Sequence, residues 1–208
     1  MNRLRIALPK GRLHEPTLAR FAAAGMAIDG DPGRRLLIPS TDRGIEFLVV
    51  KPGDVPVYVE AGAADLGVTG TDVLREADAD VLEPLTLGYG QCRLAVATPA
   101  STPWPHLPGG VTARVATKYP RLTREYFAAR GRAVEVIPIA GSVEVAPLLG
   151  LAHWIVDLVD SGRTLRENGL VERESILACE ATLVMNRATQ TLRLEDCLDI
   201  VKRIKTRE

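Results

Sequence analysis

Short apolar runs alternate with helix-patterned segments from residue 4 to residue 205, and almost every switch is marked by glycine or proline. Residues 4–8, 45–50, 64–68, 93–98, 114–117, 134–139, 155–159 and 182–184 read as strands. Residues 16–24, 54–61, 72–76, 120–130, 144–149, 164–168 and 195–205 read as helices, the last of them amphipathic. Residues 101–110, rich in proline and glycine, read as a loop, and no repeat or low-complexity segment interrupts the pattern. Strands separated by helices call for crossover connections, which places the chain in the α/β class with a largely parallel or mixed sheet.

One strand-to-helix switch carries more chemistry than the others. Ile155-Val156-Asp157-Leu158-Val159 is a buried-strand pattern holding a single carboxylate, followed by Asp160-Ser161-Gly162-Arg163-Thr164 and a short helix stopped by Gly169. A hydroxyl-glycine loop entering a helix is an anion site: backbone N–H groups point outward, the helix dipole favours negative charge, and glycine admits a phosphate close to the main chain. Asp157, at the strand end, is placed to accept hydrogen bonds from sugar hydroxyls, so a ribose 5-phosphate would satisfy both features. The same residues also suit ordinary turn chemistry, with Ser161 or Thr164 merely capping the helix. No G-x-x-x-x-G-K-[ST] occurs, and Gly88-Tyr89-Gly90-Gln91-Cys92-Arg93 has arginine where a dinucleotide loop needs its third glycine.

Three further turns share this logic: Leu8-Pro9-Lys10-Gly11-Arg12-Leu13, Gly67-Val68-Thr69-Gly70-Thr71-Asp72 and Val115-Ala116-Thr117-Lys118-Tyr119-Pro120. Each follows a strand, and ligands of open α/β sheets bind beyond the carboxyl ends of strands. Each alone is also an ordinary solvated turn; together they point to a polyanion, with Lys51, Arg93 and Lys118 as further cations nearby.

Composition bounds the partners. The 208 residues carry 26 Lys and Arg against 26 Asp and Glu, so anions must be met by local clusters, and a general nucleic-acid or membrane-surface binder is disfavoured. Cys92, Cys179 and Cys197 are scattered without a C-x-x-C pair, which argues against a disulfide framework or a zinc site. The N-terminal apolar run is too short for a signal peptide and no segment is long enough to span a bilayer; a cytoplasmic location is the expectation.

Several motifs carry a resemblance over nearly the whole chain and in one order. They are Ile6-Ala7-Leu8-Pro9-Lys10-Gly11-Arg12-Leu13, Ala64-Asp65-Leu66-Gly67-Val68-Thr69-Gly70-Thr71-Asp72 and Gly88-Tyr89-Gly90-Gln91-Cys92-Arg93-Leu94. They continue with Ala116-Thr117-Lys118-Tyr119-Pro120, Gly141-Ser142-Val143-Glu144-Val145-Ala146-Pro147 and the 155–170 unit through Asn168-Gly169-Leu170. In these the chain resembles the ATP phosphoribosyltransferase family, the first enzyme of histidine biosynthesis, in its short form.

The resemblance implies two α/β domains of the type II periplasmic-binding-protein kind with the active site in the inter-domain cleft. Domain I would hold residues 1–90 plus 186–208 and domain II residues 91–185. It implies transfer of the 5-phosphoribosyl group of 5-phosphoribosyl 1-pyrophosphate (PRPP) to N1 of ATP with release of pyrophosphate, in the presence of Mg2+. Asp157, Ser161, Gly162, Arg163 and Thr164 would bind PRPP. Lys10, Gly11, Arg12, Gly70, Asp72, Arg93 and Lys118 would bind ATP, with Lys10, Arg12 and Lys51 stabilising charge rather than acting as base or covalent nucleophile. Magnesium would be held mainly by substrate phosphates, since no tight carboxylate cluster is visible.

The short form implies a regulatory subunit similar to histidyl-tRNA synthetase, with the chain a dimer alone and a hetero-octamer with that partner. Longer members continue into a C-terminal histidine-binding domain, for which a sequence ending at Glu208 after the 195–205 helix leaves no room. Two residues depart from the family pattern: His153 stands where an acidic residue is common, and Ser161 where threonine is usual. Two rival readings are a non-enzymatic small-anion solute-binding module of the same fold, which a signal peptide would favour, and a free-base phosphoribosyltransferase. The latter enzymes lack the paired Lys10-Gly11-Arg12 and Thr69-Gly70-Thr71-Asp72 loops.

Overall fold

The structure, a computed structural model, describes residues 3–31 and 33–205; residues 1–2 and 206–208, the two ends of the expected domain I, lie outside the described residues. The chain opens with β1 (Leu4–Pro9), α1 (His14–Ala23), β2 (Leu37–Pro39), β3 (Ile45–Val50), α2 (Val55–Glu60), β4 (Leu66–Gly70), α3 (Thr71–Ala77) and β5 (Leu82–Thr86). It goes on through β6 (Cys92–Pro99), β7 (Ala113–Thr117), α4 (Pro120–Ala128), β8 (Val134–Pro138), α5 (Val145–Leu148), β9 (Trp154–Val159), α6 (Arg163–Glu167) and β10 (Leu170–Cys179). It closes with β11 (Ala181–Met185), α7 (Arg187–Leu192) and α8 (Leu194–Lys205). Two compact units result: Met1–Gly90 with Glu180–Glu208, and Gln91–Cys179.

The first unit is built on a six-stranded sheet of order β2-β3-β1-β4-β11-β5. Strand alternation divides its apolar residues between two faces. Leu4, Ile6 and Leu8 of β1 pack with Phe21 of α1 and Ile200 and Ile204 of α8. Ala7 turns the other way, toward Val55 and Val59 of α2 and Leu74 of α3. Helix α8 buries Cys197, Ile200 and Ile204 at helical spacing, with Glu195 and Asp196 in its first turn and Lys202, Arg203 and Lys205 in its last, both matching the helix dipole. Asn186 caps α7, its Oδ1 accepting the Thr189 N–H at 3.0 Å.

The second unit holds a five-stranded sheet of order β10-β6-β9-β7-β8. Strand β9 runs parallel to β7 and antiparallel to β6. One face packs Leu94, Val96, Val115, Trp154 and Val156 beneath Phe127 of α4, where Phe127 stacks on Trp154 with centroids 5.8 Å apart. The other packs Ala95, Ala116, Ile155 and Val159 against Ala146 of α5 and Leu165 of α6. Burying Phe127 completely stabilises the fold by roughly 1.5–3 kcal/mol.

The structure adds four elements to the sequence reading: β2, β5, β10 and α7. Strand β10 contains Glu172, Arg173, Glu174 and Ser175, and two register shifts against β6 break its alternation. It also moves a boundary. Strand β11, placed by the sequence reading in the second domain, pairs with β4 and β5 in the first unit's sheet, so the chain returns to that unit at Glu180 and not at residue 186.

Candidate functional site

In the second unit the carboxyl ends of the parallel strands β9, β7 and β8 lie at one edge of the sheet, and three loops leave from them. The β9–α6 loop lines a cavity of about 300 Å³ with Asp157, Ser161, Gly162, Arg163 and Thr164, joined by Glu144 from the β8–α5 loop. Gly162 stands at the α6 N-cap with φ +71°, a left-handed conformation that glycine adopts without strain. A Cβ there would come within 3.2 Å of an Arg166 guanidinium nitrogen. Helix α6 spans five residues, so its dipole is small; the loop's anion-binding capacity rests on its backbone amides and side chains. Ser161 does not cap the helix in the usual way: its Oγ accepts the Arg163 N–H at 3.4 Å, and no side chain caps the first turn.

Asp157 is half-buried, with Oδ1 accepting the N–H of Leu158 at 2.8 Å. Lys118 is exposed directly after β7, and the last register pair of β7 with β9, Thr117 and Val156, places Lys118 and Asp157 next to each other where that pairing stops. Glu144, which lines the cavity two residues after Ser142 with its φ of +54°, was not read from the sequence as a site residue. Its motif was visible, but a Gly-Ser-Val-Glu run carries no sign of which strand end it will meet.

Arg93 is committed. Its Nε and Nη2 donate to the two carboxylate oxygens of Glu172 at 2.7 and 2.6 Å, and its Nη1 donates to the Asp160 carbonyl at 3.0 Å. The guanidinium therefore braces the entrance of the β9–α6 loop, where the sequence reading had it as an ATP-binding cation. His153 sits at the other end of β9: its Nδ1 accepts the Arg114 N–H at 3.0 Å and its own N–H donates to the Arg114 carbonyl at 2.9 Å. It closes a backbone pair between β7 and β9 at the end of the sheet remote from Asp157.

In the first unit the carboxyl ends of β1, β3 and β4 share one sheet edge as well. Pro9 and Val50 end the β1–β3 register and the Lys10 N–H donates to the Val50 carbonyl at 2.8 Å, so Lys10 and Lys51, both exposed, leave neighbouring strand ends. Gly11 and Arg12 form the turn into α1 and are exposed. Lys10 lines a cavity of about 470 Å³ together with Arg34 and Arg35. Those two arginines went unread because they stand in an irregular segment that no periodicity connects to β1.

Gly70 ends β4, and a Cβ on it would fall 2.2 Å from Asp72 Oδ1. The Asp72 carboxylate is therefore folded back over Gly70, and Asp72 is only 4% exposed. No group of three His, Cys, Asp or Glu side chains gathers at metal-ligating distance among the described residues. No helix among them is long and apolar enough to cross a membrane.

What the two loop clusters can do chemically is bind phosphorylated ligands by backbone amides and cations, and hold a sugar diol by Asp157. Neither presents a nucleophile aligned with a base. The family model described as ATP phosphoribosyltransferase matches residues 51–206. An ATP phosphoribosyltransferase of Acidithiobacillus ferrooxidans is 48% identical over 204 residues, covering 96% of this chain and 95% of that protein. Among solved structures, the ATP phosphoribosyl transferase (HisG:HisZ) complex from Thermotoga maritima superposes with a TM-score of 0.87 at 32% identity, over 98% of this chain and 96% of that one. The alkanesulfonate-binding protein SsuA from Xanthomonas axonopodis pv. citri matches with a TM-score of 0.60 at 12% identity, over 99% of this chain and 73% of that chain, a likeness of fold.

Proposed function

The chain belongs to the ATP phosphoribosyltransferase family, a two-domain α/β fold of the periplasmic-binding-protein type, and on that premise we propose which of its residues carry the reaction. The enzyme transfers the 5-phosphoribosyl group of PRPP to N1 of ATP, the first step of histidine biosynthesis. In our reading the β9–α6 loop holds PRPP: Asp157 accepts from the ribose hydroxyls, while Ser161, Gly162, Arg163 and Thr164 take the 5-phosphate. The observation that carries this assignment is the single cavity those five residues line. Lys10, Gly11, Arg12 and Lys51, with Arg34 and Arg35, bind the triphosphate of ATP and the departing pyrophosphate. Lys118 adds a cation beside Asp157, and Arg93 acts through the loop it braces. Buried Asp72 and Gly70 shape the turn at which the nucleotide binds.

N1 of adenine attacks the anomeric carbon as the C–O bond to pyrophosphate breaks, so positive charge builds on the ribose and negative charge on the leaving group. Such a displacement needs no protein nucleophile; it needs alignment and charge stabilisation, which Asp157 and the cations supply. No carboxylate cluster among the described residues would hold Mg2+, so the ion would be bound mainly by substrate phosphates and would supply charge neutralisation at the leaving group. A regulatory second subunit, as in the HisG:HisZ complex of the Thermotoga maritima relative, and a cytoplasmic location belong to the same reading.

The solute-binding reading rests on fold alone at 12% identity, whereas the enzyme reading rests on 48% identity over almost the full chain. Mixing the purified chain with ATP, PRPP and Mg2+ and following the absorbance of N1-substituted adenine tests the assignment. Product formation that Asp157→Ala reduces is expected; product formation untouched by substitutions throughout the β9–α6 loop would overturn it.

A further inference from the structure

Thr117 is fully buried at the carboxyl end of β7 and touches all three segments that build the proposed PRPP edge. Its Oγ–H donates to the Val156 carbonyl of β9 at 2.7 Å, and the same Oγ accepts the Tyr119 N–H at 2.9 Å. Its own carbonyl accepts the Ile139 N–H, at the start of the β8–α5 loop, at 2.9 Å. Buried Thr123 closes the arrangement by donating to the Tyr119 carbonyl at 2.7 Å.

The register shows what the hydroxyl does. Pairing of β7 with β9 stops at Thr117 and Val156, yet β9 runs on to Val159 beside β6 alone. Past that point no register pair joins β9 to β7 among the described residues. The Thr117 hydroxyl takes the Val156 carbonyl in place of the next rung, and the Asp157 carboxylate takes the Leu158 N–H. The strands part there, and the backbone groups left behind are satisfied by two side chains. That parting sets Asp157 and Lys118 where the two strands diverge.

We infer that Thr117 is a positioning residue for phosphoribosyl transfer: its hydroxyl ends the β7–β9 ladder and fixes the spacing between Asp157, the first β9 residue past that ladder, and Lys118, just past the end of β7. This rests on the PRPP assignment above. Valine in its place keeps the volume but leaves the Val156 carbonyl and the Tyr119 N–H unpaired in a buried setting, and their relief requires the two strand ends to move.

The test uses the full chain and three variants, Thr117→Val, Thr117→Ser and Thr117→Ala, with PRPP affinity by calorimetry and thermal melting measured on each. Serine and alanine both lose the methyl group and differ by the hydroxyl alone, so their comparison stands even if the valine variant does not fold. We expect Thr117→Ser to bind PRPP within about threefold of the parent, and Thr117→Ala and Thr117→Val to bind about tenfold more weakly while remaining folded. Equal PRPP affinity for the serine and alanine variants overturns the inference, because packing would then account for everything. If the parent chain itself fails to bind PRPP, it is the loop assignment that falls, and the two failures are distinct.

Discussion

The Arg93 guanidinium grips both carboxylate oxygens of Glu172, at 2.7 and 2.6 Å, and with its remaining amino group holds the Asp160 carbonyl at 3.0 Å. The hydrogen bond to the neighbouring carboxylate raises the arginine's already high pKa further, so the guanidinium keeps its charge. The Arg93 side chain is 38% exposed, which limits the pair's worth to folding to about 1 kcal/mol or less. Arg93→Ala should therefore melt within a few degrees of the parent while its KM for PRPP rises, because the loop entrance loses its brace. A collapse in melting temperature with KM unchanged would make the pair purely a fold contact.

The cavity around Gly162 predicts two further losses. Asp157→Ala and Thr164→Ala should each weaken PRPP binding by about 1–3 kcal/mol, the range for hydrogen bonds to a charged or hydroxyl-rich ligand. Calorimetry on the pure variants reads this directly, and parent-like affinity in both would remove the loop from the binding site.

The cation cluster of the first unit separates function from stability in the opposite sense to a core residue. Lys10 and Arg34 are exposed, so Lys10→Ala and Arg34→Ala should leave thermal stability nearly unchanged while lowering turnover with ATP and PRPP. Their combined removal should cost more turnover than either alone, since both line one cavity. A drop in melting temperature with turnover retained would assign them to the fold.

Gly70 is held by space and not by backbone conformation, its φ being −78°. Alanine there meets Asp72 Oδ1 at 2.2 Å and must displace a carboxylate that is only 4% exposed. Gly70→Ala should therefore destabilise the first unit by about 1–3 kcal/mol, as overpacking does. Denaturant unfolding of the variant checks this, and Gly70→Ala combined with Asp72→Ala should recover part of the loss.

Legibility followed contact distance along the chain. β1, β3, β6, β7 and β9 were visible because each is a short apolar run, and the turns at Lys10, Gly70, Lys118 and Ser161 because glycine, proline or hydroxyl residues sit within a few positions of a strand end. Strand β5 escaped because it holds Pro84 and lies at the sheet edge, and β10 because bulges break its alternation. The site's long-range members escaped for another reason. That Arg93 would be claimed by Glu172, 79 residues later, depends on β6 pairing with β10. That Arg34 would share a cavity with Lys10 depends on where an irregular segment packs. Neither dependence leaves a trace in local pattern.

Tyr126 of α4 supplies a pH signature outside the loops. Its hydroxyl donates to Glu174 Oε2, and the Arg130 guanidinium lies 3.8 Å from its ring centroid. Burial, and after it the hydrogen bond to Glu174, pushes the phenol up from 10.0 to about 12. The sign follows from proton linkage. Between pH 10 and about 12 the unfolded chain has released this proton and the folded chain still holds it, so raising the pH favours unfolding. The contribution is complete below pH 10.0 and is lost as pH climbs through about 12. In Tyr126→Phe that titration is gone, while Glu174 keeps Arg130 at 3.5 Å and Arg132 at 4.0 Å. The variant should be less stable at neutral pH and lose less stability across the alkaline window, so the two stability curves converge as pH rises. Because Tyr89 is also raised by burial, the comparison must be parent against variant and not the parent's slope alone. Denaturant melts across the alkaline range, paired with absorbance titration of the phenolate, give the answer; two parallel curves would show that Tyr126 titrates alike in the folded and unfolded chain.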